Sequence, residues 1–127
     1  GIKNTLIMQN SFLGKRIKAC GYALKGAYIL IKTEPPIQVQ IVISIIMVAL
    51  GFYFEITTAE WIFQIFAMGM VLSLEAANTA IEEIADFIHP DFHHKIGLIK
   101  DMAAGAVFFA AVTAVVVGLI IYIPYLF

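Results

Sequence analysis

Hydrophobic positions along this chain gather into three long runs that charge leaves almost untouched. Pro35 to Phe54 carries no charged side chain, and twenty residues of helix cover about 30 Å, the hydrocarbon thickness of a bilayer. The second run, Trp61 to Leu74, has 14 uncharged residues before Glu75. Its helical pattern continues through Ala76, Ala77, Ala80, Ile81, Ile84 and Ala85 to Ile88, where His89-Pro90 ends it. The third, Met102 to Phe127, holds 26 uncharged residues, with Pro124 expected at its fraying end. The pattern predicts spans over about residues 35–54, 60–88 and 100–124.

The segment before the first run follows a different rule. Leu13, Ile17, Cys20, Leu24, Tyr28 and Ile31 recur at three- and four-residue steps and form one apolar stripe. Lys15, Lys18, Lys25 and Lys32 fall on the other side, and Arg16 flanks the stripe. This predicts an amphipathic helix over about residues 10–32. It would lie in the membrane interface with its lysines toward anionic headgroups, pack on the ends of the spans, or do both. The expected fold class is therefore an all-α membrane protein with three transmembrane helices and an N-terminal surface helix, built as a single domain over residues 1–127.

Composition removes the soluble alternative. Of the 127 residues, 61% are hydrophobic and 13% charged, and the mean hydropathy is +0.93. A soluble domain keeps about a quarter of its residues charged to wet its surface. The net charge of −1 argues for neither nucleic acid nor an acidic substrate. The single cysteine, Cys20, cannot form an internal disulfide, and no cleavable signal peptide is expected from the pattern near the N-terminus.

Where the basic residues lie sets the expected topology. Lys3, Lys15, Arg16, Lys18, Lys25 and Lys32 precede the first span, and Lys95 and Lys100 lie between the second and third. The segment of residues 55–60 has none. By the positive-inside rule the N-terminus and the loop around residues 89–100 are cytoplasmic and the C-terminus is external. Tyr53, Trp61, Tyr122 and Tyr125 are then expected in the outer aromatic belt.

Chemistry enters with the acidic residues of the second span. At 100° per residue, Glu75, Asn78, Glu82 and Asp86 share one stripe about 80° wide, and Glu83 sits off it. Counting from Trp61, Glu75 is about 21 Å along the helix, so Glu82 and Asp86 reach the headgroup and water zone. A carboxylate inside a span costs about 2.5–3.5 kcal/mol on insertion scales, which makes Glu75 with Asn78 a candidate functional pair. For Glu83 and Asp86, simple solvation at a helix end is an equal alternative. Glu34, just before the first span, would be an ordinary interfacial charge by itself. With Glu82 at the same depth, it could offer hard oxygen ligands to Mg²⁺, which takes one or two carboxylates with phosphate oxygens and water. Lys100 and Asp101 open the third span at that level. A lysine there ordinarily snorkels as a topology marker unless a phosphate partner is present. His89, His93 and His94 lack the cysteines or regular spacing of a zinc site and read as solvated. GxxxxGK[ST] and GxGxxG are both absent, which speaks against a soluble-type nucleotide fold. Ala103-Ala104-Gly105-Ala106 reads as close helix packing.

The run EAANTAIEEIADFI at 75–88, followed by KDMAAGAV at 100–107, resembles the prokaryotic diacylglycerol kinase and undecaprenol kinase family. The pattern is E-x-x-N-[ST]-A-I-E-x-x-x-D in the second span and K-D-M before the third. GYALKG at 21–26 and the lone Glu34 match the family's surface helix and first-span entrance. The resemblance implies an ATP- and Mg²⁺-dependent lipid kinase of the bacterial inner membrane. It would be a homotrimer with sites shared between subunits, and its acceptor would be diacylglycerol or undecaprenol. It also implies that Glu75 is the general base, that Glu34 and Glu82 hold Mg²⁺ on ATP, and that Asn78 supports them. Lys15, Tyr22, Asp91, Phe92, His93, Lys100 and Asp101 match nucleotide-contacting positions, and Asp86 matches an acidic position of the site. One departure stands out. Many members continue after the glutamate with a basic residue, whereas this chain has Pro35, Pro36, Gln38 and Gln40.

The physical reading agrees. Phosphoryl transfer needs positioning and charge neutralisation more than covalent chemistry, so two metal carboxylates, a lysine and a base suffice. Desolvation makes a carboxylate a better base, and Glu75 is the deepest. The alternative is a small cation channel or proton-translocating subunit. It would need polar residues down to the outer face, where residues 61–74 offer only Gln64 and Ser73. A purely structural membrane subunit leaves Glu75 and Asn78 unexplained.

Overall fold

The computed structural model describes residues 1–4 and 11–127. Its element order is α1 (Phe12–Thr33), α2 (Pro35–Tyr53), α3 (Thr58–Ile88) and α4 (His94–Leu126), so the chain is all-α. The last three helices are each long and apolar enough to cross a membrane. Two compact units emerge, residues 1–34 and residues 35–127.

In the first unit, Ser11 caps α1, its side chain accepting from the Gly14 amide at 3.0 Å. The expected start near residue 10 lies outside the described residues. The helix buries none of its residues. It ends at Glu34, which is extended at φ −105°, ψ 108°. A residue before proline is pushed out of the helical region by the proline ring. Pro35 and Pro36 then open α2, where a missing N–H costs nothing because first-turn amides have no helical partner. The double proline that departs from the family pattern is thus a helix stop followed by a helix start.

The second unit is built on the antiparallel hairpin of α3 and α4. At about 1.5 Å per residue these helices are about 46 and 50 Å long, well beyond the ~30 Å hydrocarbon layer. Helix α4 begins at His94, earlier than the expected span, with His94, Lys95, Leu98 and Ile99 of its first turns exposed. His93 supplies the cap, its Nδ1 accepting from the Lys95 amide at 3.1 Å. At the other end, α4 runs through Pro124 to Leu126. The proline removes one donor, but the Phe127 amide still bonds the Ile123 carbonyl at 3.1 Å and closes the last turn. Small residues let the hairpin close: Ala67, Ala85, Ala103 and Ala110 are all buried. Within the small-residue run, Ala103 makes the contact while Gly105 faces open space.

The far end of the hairpin is locked by polar and aromatic groups. Thr57 and Glu60 form a reciprocal capping box at the start of α3, and the Tyr125 hydroxyl donates to Glu60 Oε1. Ile56, Ile121 and Tyr122 form a core that Met47, Leu50, Phe54, Trp61 and Val117 surround. Gly51 is required here, because a Cβ would stand 2.6 Å from the Trp61 ring. Trp61 packs on Phe52 and Tyr125 on Phe54, but Tyr122 departs from the expected belt. It is 7% exposed and turns inward to donate to Gln64 Oε1 at 2.5 Å, with the Met47 carbonyl 3.1 Å away. Gln64 Nε2 also donates to that carbonyl, at 3.1 Å. A buried hydroxyl needs a partner, and Gln64 provides one where lipid cannot. Gln64→Leu is expected to keep the helical content yet lower stability by about 1 kcal/mol, read as an earlier thermal unfolding midpoint in bicelles.

Candidate active site

At the opposite end of the hairpin, α3 carries its acidic stripe. The capping box fixes where α3 starts, and an uninterrupted helix then sets the phase of every residue to Ile88. Glu75, Asn78 and Glu82 are half-buried, whereas Glu83 and Asp86 are exposed. Among the described residues the Glu75 carboxylate has no hydrogen-bond or ion-pair partner, so it is open to a donor from outside the chain. Asn78 Nδ2 donates to Glu82 Oε1 at 3.1 Å, the i to i+4 geometry expected on one helix face. Its carbonyl oxygen, Oδ1, is buried without a partner. A buried acceptor left unsatisfied is costly and usually awaits a ligand, a water or a cation.

Lys100 completes this arrangement from α4. Its Nζ lies 2.5 Å from Asp86 Oδ1 and donates to it, so the ammonium is held at the stripe rather than extended away from it. Asp101 beside it is exposed. The turn between the helices is ordered by its own polar groups. His89 Nδ1 is 2.7 Å from the Asp91 carbonyl, the His89 and His93 rings lie 5.2 Å apart, and Phe92 is 89% exposed. Asp91, Phe92 and His93 are therefore presented at the same end of the hairpin as Asp86 and Lys100.

The other predicted site residues belong to the first unit. Lys15 and Tyr22 are exposed on α1, Tyr22 at 71%. Glu34 is half-buried at the helix end, with its amide bonded to the Leu30 carbonyl at 3.0 Å. Among the described residues no group of three or more His, Cys, Asp or Glu side chains could hold a metal. A two-carboxylate Mg²⁺ site needs no such cage, because phosphate oxygens and water complete the shell. The hard donors around Asn78 and Glu82 fit that ion.

Sequence reasoning passed over the structural roles of five residues that shape this scaffold: Ser11, Thr57, Glu60, His93 and Tyr122. Ser11 before the amphipathic run and the T-x-x-E of Thr57 to Glu60 are both readable cap signals. The cap at His93 and the inward turn of Tyr122 leave no comparable mark.

Three helices long and apolar enough to cross a membrane, with an acidic and basic cluster at one end of the long hairpin, define an all-α protein of the polytopic membrane class. The chain belongs to the prokaryotic diacylglycerol kinase family, whose sequence profile matches residues 21–122. It is similar to the undecaprenol kinase of Bacillus subtilis (strain 168), at 33% identity over 112 residues, which cover 88% of this chain and 91% of that protein. The diacylglycerol kinase of Escherichia coli (strain K12) is 29% identical over 100 residues, 79% of this chain and 82% of that one. The diacylglycerol kinase of Haemophilus influenzae is 30% identical over 94 residues, 74% and 80% of the two chains.

Proposed function

We propose that this chain is a membrane lipid kinase that transfers the γ-phosphoryl group of ATP to the hydroxyl of diacylglycerol or undecaprenol. The observation that carries the reading is the single polar face of α3, where Glu75, without a hydrogen-bond or ion-pair partner among the described residues, precedes the Asn78–Glu82 pair and the Asp86–Lys100 pair. That face runs from hydrocarbon depth to the water zone, which suits a greasy alcohol meeting a soluble nucleotide.

Each side chain has a task in this scheme. Glu75 accepts the proton of the lipid hydroxyl as its oxygen bonds to the γ-phosphorus. The bond from that phosphorus to the bridging oxygen breaks, and ADP leaves. Lys100 steadies the negative charge on the transferring group. Mg²⁺ entering with ATP would be held by Glu34 and Glu82 with Asn78 in support, and it would neutralise phosphate charge. Lys15, Tyr22, Asp91, Phe92, His93 and Asp101 are the further nucleotide contacts. We place the protein in the bacterial inner membrane as a homotrimer with shared sites, its N-terminus cytoplasmic and its C-terminus external.

Among the described residues the channel alternative finds no continuous polar path along α3. Beyond Glu75 the buried α3 positions are Val71 and Ala67, then Gln64, which Tyr122 occupies. Ser73 turns its hydroxyl onto the Gly69 carbonyl of its own helix at 2.7 Å.

Both candidate acceptors present one hydroxyl at headgroup level, so the site chemistry is common to them. Purified protein supplied with radiolabelled ATP and each lipid in parallel should label at least one of the two. The favoured acceptor is the one with the higher kcat/KM. Label in neither product would overturn the kinase reading.

A further inference from the structure

The Asp86–Lys100 ion pair has a physical consequence beyond joining two helices. Its side chains are 55% and 37% exposed, and an exposed ion pair contributes little to stability because water screens it and two long side chains must be ordered. Stability is therefore a poor reason for it. What it changes is where a flexible cation rests. A lysine stem has many rotamers to lose and at a membrane-helix end tends to snorkel toward headgroups. Asp86 stands one helical turn beyond Glu82 on the same face of α3. Bonding to it lays the Lys100 ammonium against the stripe that also presents Glu82 and the unsatisfied Asn78 oxygen. An ammonium has three donors, and among the described residues Asp86 takes the only hydrogen bond from it. Two donors remain for phosphate oxygens.

We propose that Asp86 is a positioning residue that orders the Lys100 ammonium at the phosphate subsite before nucleotide arrives. This rests on the assignment of Lys100 as a phosphate ligand. Preorganisation lowers the ordering cost of binding, so its effect falls on the nucleotide rather than on the lipid.

A double-mutant cycle on the full-length protein in bicelles tests this, with ATP varied at saturating lipid and Mg²⁺, and lipid varied at saturating ATP. Asp86→Asn should raise the KM for ATP roughly tenfold, the scale of one charged hydrogen bond, with the KM for lipid and the thermal midpoint unchanged. Asp86→Glu, which keeps the charge, should recover most of that loss. Lys100→Ala should be impaired more severely, and adding Asp86→Asn to it should cost nothing further. If Asp86→Asn costs the same factor in the Lys100→Ala background, or if its loss tracks a fall in thermal midpoint, the positioning role is wrong. Wild-type kinetics in Lys100→Ala would instead remove the phosphate-ligand assignment on which the proposal stands.

Discussion

Glu75→Gln is expected to cut phosphoryl transfer by about 10²–10⁴-fold, the usual range for a positioned general base, while the folded protein stays intact. The substitution is nearly isosteric, and the Glu75 carboxylate has no hydrogen-bond or ion-pair partner among the described residues to lose. It also removes a charge from a membrane helix, where an acidic side chain costs about 2.5–3.5 kcal/mol. Thermal unfolding in bicelles should therefore show equal or higher stability beside the lost turnover. That opposition separates a catalytic carboxylate from a structural one, since a structural role would lower both together. Near-normal turnover would remove Glu75 from the role of base.

Glu82→Gln should act through the metal. Glutamine keeps an oxygen that can accept from Asn78 Nδ2, so the local 3.1 Å hydrogen bond survives and only the anionic ligand is lost. Loss of an outer-sphere partner typically costs about 10–100-fold in metal affinity or activity, and a direct ligand should cost more. Activity followed against Mg²⁺ concentration should show the half-maximal point moved to higher Mg²⁺ by at least roughly a hundredfold. Glu83→Gln, one residue away but off the stripe, should leave the Mg²⁺ curve in place. A curve for Glu82→Gln that overlays the wild type would remove Glu82 from the metal shell.

The two variants probe different depths of one helix face, and that face depends on events far from it. The Thr57–Glu60 capping box and the Tyr125 bond to Glu60 fix where α3 begins. The Gln64–Tyr122 bond fixes its register against α4. From there 3.6 residues per turn deliver Glu75, Asn78, Glu82 and Asp86 to one side. A slip of one residue would rotate the stripe by about 100°. The structural end and the chemical end of the hairpin are thus coupled through helix geometry alone.

Much of this was legible in the chain itself, for a physical reason. The bilayer imposes length and apolarity on any segment that crosses it, so three spans could be read by counting. Periodicity by itself places four polar side chains on one face. The amphipathic segment and its lysines were equally readable, because one helix sets their phase. Other features depend on what one helix meets on another. Tyr122 looked like a belt residue, yet it turns inward because Gln64 stands opposite it across the hairpin. Spacing alone left Lys100 between a snorkelling cation and a phosphate contact, and its bond to Asp86, fourteen residues earlier, is made only when the two helices pair. Helix α4 begins at His94 because the His93 side chain caps it there, a contact that hydropathy does not register. Local spacing fixes which residues share a face; only tertiary packing decides which partner that face finds.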